Sequence, residues 1–215
     1  RHYDVNNLNK RLDNKTALQK KCGLPVNNNA PLFAVVSRLT SQKGLDLVID
    51  VLPDIVDQAG QFVLLGTGDS HLESAFLHAQ QQYPQHVATH IGYDESFSHQ
   101  IVAGADVIMM PSRFEPCGLT QLYGLKYGAL PLVRHTGGLA DTVNDCSLEN
   151  LAHHQATGFV FHEATPDDLR LAINRAFTLW EMPKQWQQVQ TDAMNQTIFS
   201  WETAAKAYAA LYHRL

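Results

Sequence analysis

Two positively charged side chains, Arg38 and Lys43, stand in one short segment with the sequence SRLTSQKG. An arginine binds phosphate oxygens through forked hydrogen bonds, whereas a lysine acts as a compact point charge. Together they could neutralise a diphosphate, and they could equally be solvated charges of a surface loop. The residue types in this segment leave both readings open.

A second segment, EPCGLT, begins at Glu115 and opens a predicted helix directly after an apolar run. The backbone amides of Gly118, Leu119 and Thr120 would point outward at the positive end of that helix, an arrangement that favours an anion. Glu115 could contact a ligand or cap the helix. Cys117 lies in the same turn, where it is a reactive thiol or an inert small residue.

The pair Gly66 and Gly68 raises the possibility of a dinucleotide site, and the sequence argues against it. The third glycine of the fingerprint falls at His71, and residues 87–89, near which the ribose-binding carboxylate is expected, contain no acid. We interpret these glycines as a tight turn between a strand and a helix.

The cysteines and histidines predict neither a metal site nor a cofactor. The chain has three cysteines without CxxC spacing, and its 11 histidines show no HExxH or other ligand spacing. A disulfide framework is therefore not expected. This cysteine usage predicts a reducing compartment, and we expect a cytoplasmic protein.

The elements that must position these residues follow a regular alternation of short apolar runs and amphipathic segments. The predicted strands are 31–39, 62–68, 87–92, 106–112, 130–136 and 157–161, and the predicted helices are 44–58, 70–82, 96–103, 118–128 and several from 166 to the end. Three tryptophans, Trp180, Trp186 and Trp201, are predicted to anchor the packing of the last helices. This alternation predicts an α/β fold with a doubly wound parallel sheet, whose ligands bind beyond the carboxyl ends of the strands.

Composition bounds the possible functions. The chain has 215 residues, a hydrophobic content of 45% and a formal net charge of -5. The mild acidity argues against a general nucleic-acid partner, and no apolar run is long enough for a membrane span. We predict one domain over 1–215, with 1–30 as a linker segment and 166–215 as C-terminal helices. Because the chain opens on Arg1 in a polar stretch, we expect it to be part of a longer protein.

Three motifs together resemble the ADP-glucose-using glycogen and starch synthase family, and bacterial glycogen synthases in particular. They are SRLTSQKGLD (37–46), PSRFEPCGLTQ (111–121) and TGGLADTV (136–143). The resemblance in order and spacing extends over the whole chain. Many members of the wider superfamily have a second glutamate eight residues after the first; this chain has Tyr123 there, as glycogen synthases do.

The resemblance implies a GT-B glycosyltransferase of two Rossmann-like domains, of which this chain would be the C-terminal, donor-binding half. The N-terminal, acceptor-side domain would then lie outside this chain, and the isolated chain would be inactive. The implied reaction transfers glucose from ADP-glucose to the 4-hydroxyl end of an α-1,4-glucan with retention of configuration. The implied partners are ADP-glucose or ADP and glycogen, without a metal, a nucleic acid or a membrane.

The resemblance also implies the roles of individual residues. Arg38 and Lys43 would hold the donor diphosphate, and Glu115 would contact the glucosyl hydroxyls. Tyr93 would lie near the adenine. The phosphates would meet the backbone amides of the turn that opens the helix, together with the Thr120 hydroxyl; that turn comprises Cys117, Gly118, Leu119 and Thr120.

Two other classes of function remain open from the residues alone. One is a non-catalytic nucleotide-binding module, and the other is a different GT-B enzyme such as a nucleotide-sugar epimerase or a phosphorylase. Composition does not separate ADP-glucose from UDP-glucose as the donor.

Overall fold

Within residues 1–196 and 200–213, which the computed structural model describes, six parallel strands form one sheet in the order β3-β2-β1-β4-β5-β6. The strands are β1 (Leu32–Val36), β2 (Gln61–Gly66), β3 (Val87–Ile91), β4 (Val107–Met110), β5 (Leu130–Arg134) and β6 (Phe159–Phe161). The chain moves outward from β1 to β3 and then returns to place β4 beside β1. This reversal is the topological switch point of a doubly wound sheet, so the predicted fold class is confirmed.

Helices cover both faces of the sheet. They are α1 (Arg11–Lys21), α2 (Leu45–Asp57), α3 (Ser70–Gln82), α4 (Glu95–Gly104), α5 (Thr120–Tyr127), α6 (Gly137–Thr142), α7 (Leu148–Ala152), α8 (Pro166–Trp180), α9 (Pro183–Met194) and α10 (Trp201–Tyr212). Helices α1, α6 and α7 were not predicted from the sequence. Two of these, α6 and α7, are short and stand between recognisable strands.

Alternate residues of each strand enter two different apolar clusters. Phe33 and Val35 of β1 pack with α2, α3, α8 and α9, whereas Leu32 and Ala34 face α1 and α4. Successive side chains of a strand point to opposite faces of the sheet, so a sheet covered on both faces needs apolar residues at every position. This explains why the strands are continuous apolar runs in the sequence.

Helix α1 lies within the segment 1–30 that the sequence analysis treats as a linker. Its inward face is largely polar, with Leu18 as the apolar exception. Arg11 and Lys15 both pair with Asp106, at 3.0 Å and 2.7 Å, and all three of these charged side chains are buried. The Lys15 ammonium also lies 4.6 Å from the centroid of the Trp180 ring. A helix that docks through ion pairs lacks apolar periodicity, and so the hydrophobic pattern does not reveal it.

The prediction for the three tryptophans is right for two of them. Trp180 and Trp186 pack edge to face with their ring centroids 4.9 Å apart. Trp201 is 90% exposed, and helix α10 has no buried residue among those described. Its large apolar side chains, such as Tyr208 and Leu211, are exposed as well, so the prediction is wrong for Trp201. Residues 197–199 and 214–215, inside the predicted C-terminal helical region, lie outside the described residues.

None of the helices in the described ranges has the length and hydropathy to cross a lipid bilayer.

Candidate functional site

The two charged loops of the sequence leave neighbouring strands at the same edge of the sheet. β1 and β4 are hydrogen-bonded neighbours in parallel register, with Phe33 opposite Val107. The loop after β1 forms a short 3-10 turn over Ser41–Lys43 and reaches α2 through Gly44, while the loop after β4 leads into α5. Both loops therefore emerge at the topological switch point, where α/β sheets bind ligands.

Gly44 allows the backbones of these two loops to touch. Its φ of 66° lies in the left-handed region, and a Cβ atom built on it would lie 2.0 Å from the carbonyl oxygen of Pro111. A side chain at this position would meet both a strained backbone conformation and a direct overlap. The close approach of the two loops therefore requires a glycine.

Lys43 and Glu115, 72 residues apart in the chain, form an ion pair between the two loops. Both side chains are largely buried. Ser112, also buried, donates from its Oγ to the same Glu115 oxygen at 3.2 Å. The structure thus brings together two of the three charged residues, Arg38, Lys43 and Glu115, that are predicted to hold the diphosphate and the sugar of the donor.

A cavity of about 160 Å³ lies at this point between the two strands. Its polar lining combines two cations with three hydroxyl groups: Arg38, Lys43, Ser37, Ser112 and Thr120. Two of these, Ser37 and Ser112, were not predicted as site residues, although both stand within the motifs. The combination of cations and hydroxyls suits a phosphate-bearing ligand.

Helix α5 begins at Thr120, two residues later than predicted. Gly118 has a φ of 73°, and the side chain of Gln121 turns back to donate to the carbonyl oxygens of Cys117 and Gly118 at 2.9 Å and 3.1 Å. In the part of the chain that the structure describes, the amides of Gly118, Leu119 and Thr120 donate to no protein acceptor. They remain available at the helix end beside the cavity, as the sequence analysis predicts.

The loop after β5 supports the Glu115 segment from its other side. The amide of Gly138 donates to the Glu115 carbonyl oxygen at 3.1 Å. A Cβ atom on Gly137 would lie 2.1 Å from that oxygen, and one on Gly138 would lie 2.2 Å from the Cys117 carbonyl oxygen. The TGGL motif therefore positions the backbone around Glu115.

Arg134, at the end of β5, also holds this segment. Its guanidinium donates to the carbonyl oxygens of Ser112, at 2.9 Å, and of Arg113, and it reaches the His162 carbonyl oxygen at 3.2 Å. These contacts fix the backbone just before Glu115 to the strands on its far side.

Two other predicted residues lie apart from the cavity. Tyr93 is on the loop between β3 and α4, at the same edge of the sheet; it is exposed and does not line the cavity. The Cys117 side chain is also exposed. The structure therefore places Arg38, Lys43 and Thr120 around one cavity with Glu115 at its side, and leaves Tyr93 at a distance along the edge.

The loop after β2 has the form of a tight turn. Glu73 accepts hydrogen bonds from the Thr67 hydroxyl at 2.7 Å and from the Gly68 amide at 2.9 Å. The Gly68 amide, which a dinucleotide pyrophosphate would need as a donor, thus already donates to the Glu73 carboxylate. This contact agrees with the interpretation of these glycines as a turn. Among residues 1–196 and 200–213, no group of three or more His, Cys, Asp or Glu side chains is arranged to hold a metal ion.

Comparison with protein families and curated proteins gives consistent matches. A family model described as glycosyl transferases group 1 matches residues 19–191. Glycogen synthase of Serratia proteamaculans (strain 568) is 60% identical over 213 residues, which cover 99% of this chain and 44% of that protein. Glycogen synthase of Edwardsiella ictaluri (strain 93-146) is 60% identical over 215 residues, covering 100% of this chain and 45% of that protein. The chain thus spans less than half the length of these curated relatives.

Solved structures agree in fold. The catalytic domain of starch synthase IV from Arabidopsis thaliana, bound to ADP and acarbose, superposes with a TM-score of 0.88 at 34% sequence identity, over 99% of this chain and 44% of that one. Anabaena Alr3699/HepE, in complex with UDP and glucose, has a TM-score of 0.70 at 19% identity, over 99% of this chain and 55% of that one, and supports the fold alone. The resemblance that the three sequence motifs predict is confirmed by these matches.

Proposed function

The chain belongs to the glycosyl transferases group 1 family, and from that premise we propose that it is the donor-binding part of a glycogen synthase. In this proposal the enzyme is a hexosyltransferase that moves glucose from ADP-glucose to the 4-hydroxyl end of an α-1,4-glucan with retention of configuration. The observation that carries the proposal is the contact between Lys43 and Glu115 beside a cavity lined by Arg38. It brings cations suited to a diphosphate next to a carboxylate suited to sugar hydroxyls.

The charges of this site fit the chemistry of glucosyl transfer. When the bond between the sugar carbon and the diphosphate breaks, negative charge develops on the departing ADP and positive charge on the sugar. Arg38 and Lys43 would stabilise the diphosphate, and fixed donors of this kind act most strongly on charge that develops during the reaction. The free amides of Gly118 and Leu119 and the Thr120 hydroxyl would add hydrogen bonds to the same phosphates.

Glu115 would serve the sugar rather than the phosphates. Its carboxylate can accept hydrogen bonds from the glucosyl hydroxyls, and its negative charge lies where positive charge on the reacting sugar carbon would be stabilised. The Gly138 amide holds the Glu115 carbonyl oxygen, and Arg134 holds the backbone just before Glu115, at Arg113. Such fixed geometry suits a group that must meet the substrate in one orientation.

The assignment of partners extends beyond this chain. We propose one domain over residues 1–215 that works with an acceptor-side domain, since the chain spans 44% of the Serratia protein. ADP is the preferred nucleotide in this proposal because the starch synthase neighbour was solved with ADP. Tyr93, on its exposed loop, would contact the adenine. We place the protein in the cytoplasm, without a nucleic-acid or membrane partner.

Calorimetric titration of the 215-residue chain with ADP and with UDP tests the proposal directly. We expect weak ADP binding that is tighter than UDP binding and that is weakened in Lys43→Ala. Lys184→Ala, which removes an exposed lysine on α9, is the matched control and should bind like the unaltered chain. Equal binding of both nucleotides, or binding that survives Lys43→Ala, would contradict the donor site.

Activity requires the acceptor-side domain in this proposal. The purified chain should transfer no glucose, and fusion to the N-terminal part of the Serratia proteamaculans enzyme should produce transfer from ADP-glucose to glycogen. In that fusion, Lys43→Ala should lose roughly 2–4 kcal/mol of transition-state stabilisation, as measured for the loss of single electrostatic donors. Transfer by the chain alone, or wild-type turnover of the variant, would refute these assignments.

A further inference from the structure

The site described above joins residues from two loops that have no covalent connection near the site. Lys43 belongs to the loop after β1, and Glu115 belongs to the loop after β4. If the proposed function is right, the distance between these two groups decides whether the cation reaches the diphosphate while the carboxylate reaches the sugar. Other contacts between the loops must therefore set their relative position.

Backbone and amide hydrogen bonds provide the first of these contacts. The Arg113 amide donates to the Gln42 carbonyl oxygen at 2.8 Å, and the Gln42 side chain donates to the Phe114 carbonyl oxygen at 3.0 Å. These bonds join the residue before Lys43 to the two residues before Glu115. Two hydrogen bonds thus join the backbone of the loop after β4 directly to Gln42 of the loop after β1.

A forked ion pair between Asp46 and Arg113 provides the second contact. The Arg113 guanidinium donates to both Asp46 carboxylate oxygens, at 2.7 Å and 2.6 Å, and to the Ser41 carbonyl oxygen at 2.8 Å. The hydrogen bond from Arg113 holds the pKa of the Asp46 carboxyl below its usual range, so the carboxylate form is favoured. Arg113 therefore contacts the chain on both sides of Lys43, at Ser41 in the loop after β1 and at Asp46 in the first turn of α2.

The pair is placed for positioning rather than for stability. Its side chains are 47% and 38% exposed, and exposed ion pairs contribute little to the free energy of unfolding. Yet Asp46 lies three residues after Lys43, and Arg113 lies two residues before Glu115. Neither side chain lines the cavity.

We infer that Asp46 and Arg113 are positioning residues, which set the distance between Lys43 and Glu115 and so adjust the donor site for transfer. They act as one unit, through the two loops, and do not contact the substrate. A bidentate pair fixes orientation as well as distance, which a lysine in place of the arginine would not do. The expected effect on catalysis rests on the proposed function. The expected effect on the position of the two loops rests on the geometry alone.

The chain offers a matched control on the same helix. Asp54, on α2 like Asp46, pairs with Arg170 of α8 at 2.9 Å, with side chains 28% and 35% exposed. This pair has similar chemistry and exposure but joins two helices and no loop of the site. Asp54→Asn therefore reports what the loss of a half-exposed Asp–Arg pair does by itself.

The first measurement uses the 215-residue chain and follows the Lys43 ammonium and Glu115 carboxyl resonances by NMR. In Asp46→Asn and in Arg113→Lys we expect the chemical shifts of both groups to move away from their values in the unaltered chain, where the two groups are ion-paired. The melting temperature should stay unchanged. The double variant should match either single variant, because the two residues act as a unit. Asp54→Asn should leave both resonances in place.

The second measurement uses the fusion with the acceptor-side domain. We expect kcat to fall roughly 10- to 100-fold in Asp46→Asn and in Arg113→Lys, the order of loss that a misplacement of about 1 Å produces. The KM for ADP-glucose should change less than kcat, because fixed donors act most strongly on the charge that develops in the transition state. Asp54→Asn should retain both constants.

The outcomes separate this inference from the proposed function. A fusion that transfers no glucose contradicts the proposed function. The Lys43 and Glu115 resonances of the 215-residue chain then still test whether Asp46 and Arg113 position the two loops. Unchanged resonances in Asp46→Asn, equal effects in Asp54→Asn, or additive effects in the double variant would each overturn the inference. So would a loss confined to Arg113→Lys, since it would mean that the arginine acts without Asp46.

Discussion

Lys43 donates its ammonium hydrogen bond to Glu115, so the cation proposed for the donor diphosphate shares its charge with the carboxylate proposed for the sugar. A diphosphate that binds Lys43 must compete with this carboxylate. The two residues are therefore coupled: a change in one alters the electrostatic potential that the other presents to a ligand.

Glu115→Gln should strengthen ADP binding while it removes the negative charge beside the sugar. Removal of the competing charge frees Lys43 for the diphosphate, and we expect a gain of about 0.5–1 kcal/mol, or about two- to fivefold in the dissociation constant. Calorimetric titration of the variant and of the unaltered chain measures this difference. Weaker ADP binding in Glu115→Gln would mean that Lys43 does not face the phosphates.

Gly44→Ala should destabilise the fold and disturb the β1 loop. The new Cβ would meet the Pro111 carbonyl oxygen, and the backbone would remain in the left-handed region, at a combined cost of about 2–4 kcal/mol. Gly23→Ala is the control: its φ of 70° imposes the same backbone strain, but nothing lies within 4 Å of its Cβ, so about 1–2 kcal/mol is expected. Urea unfolding of both variants compares the two, and equal losses would show that the contact with Pro111 costs nothing.

The three thiols should react at different rates with a thiol reagent. Cys117 is exposed and should react first at about pH 8. Burial raises the pKa of the Cys22 thiol to about 11, so its rate should climb as the pH approaches that value, because only the thiolate reacts. Burial also raises the pKa of Cys146, which should react only on unfolding.

Two controls test that order of reaction. Cys117→Ser should remove the fast phase, and ADP should slow that phase in the unaltered chain if the donor phosphates bind beside Cys117. A fast phase that persists in Cys117→Ser would contradict the assignment.

Asp106→Asn should be strongly destabilising. The variant leaves Arg11 and Lys15 buried without their common carboxylate, and loss of one partner of a buried pair costs about 3–5 kcal/mol. Asp13→Asn, which removes the exposed partner of Arg1, should change the free energy of unfolding by no more than about 0.5 kcal/mol. Urea titrations of both variants provide the measurement, and similar losses in the two would contradict the buried pairing.

The strands and their polar ends could be predicted from the sequence because a sheet covered on both faces leaves a strong signal. Five of the six strands lie within a predicted apolar run, and β2 begins one residue before its run, at Gln61. Arg38 and Glu115 follow the observed strands β1 and β4. The order of strands in the sheet was not predicted, since apolar runs of similar length do not specify their neighbours. The contact between Lys43 and Glu115 depends on that order and so emerges only from the structure.

Two errors have a common origin in the use of hydrophobicity as a signal. Helix α1 was not predicted because three of its four buried residues, Arg11, Lys15 and Gln19, are polar where apolar residues are expected. Trp201 was predicted to be a packing residue because large aromatic residues are usually buried, but it is 90% exposed and its helix has no buried residue among those described. Composition alone does not tell which polar side chains find buried partners or which aromatic ones lack them.

The segment around Glu115 lies between two points of glycine contact, with Gly44 against Pro111 on one side and Gly137 and Gly138 against Glu115 and Cys117 on the other. The conformation of this segment therefore depends on the absence of side chains at these glycines, and not on side chains that could be replaced one at a time. Randomising these three glycines in a directed-evolution library would yield few folded members. Changes of donor preference would have to come from residues with side chains to vary, such as Ser37 of the cavity wall or Tyr93 of the exposed loop.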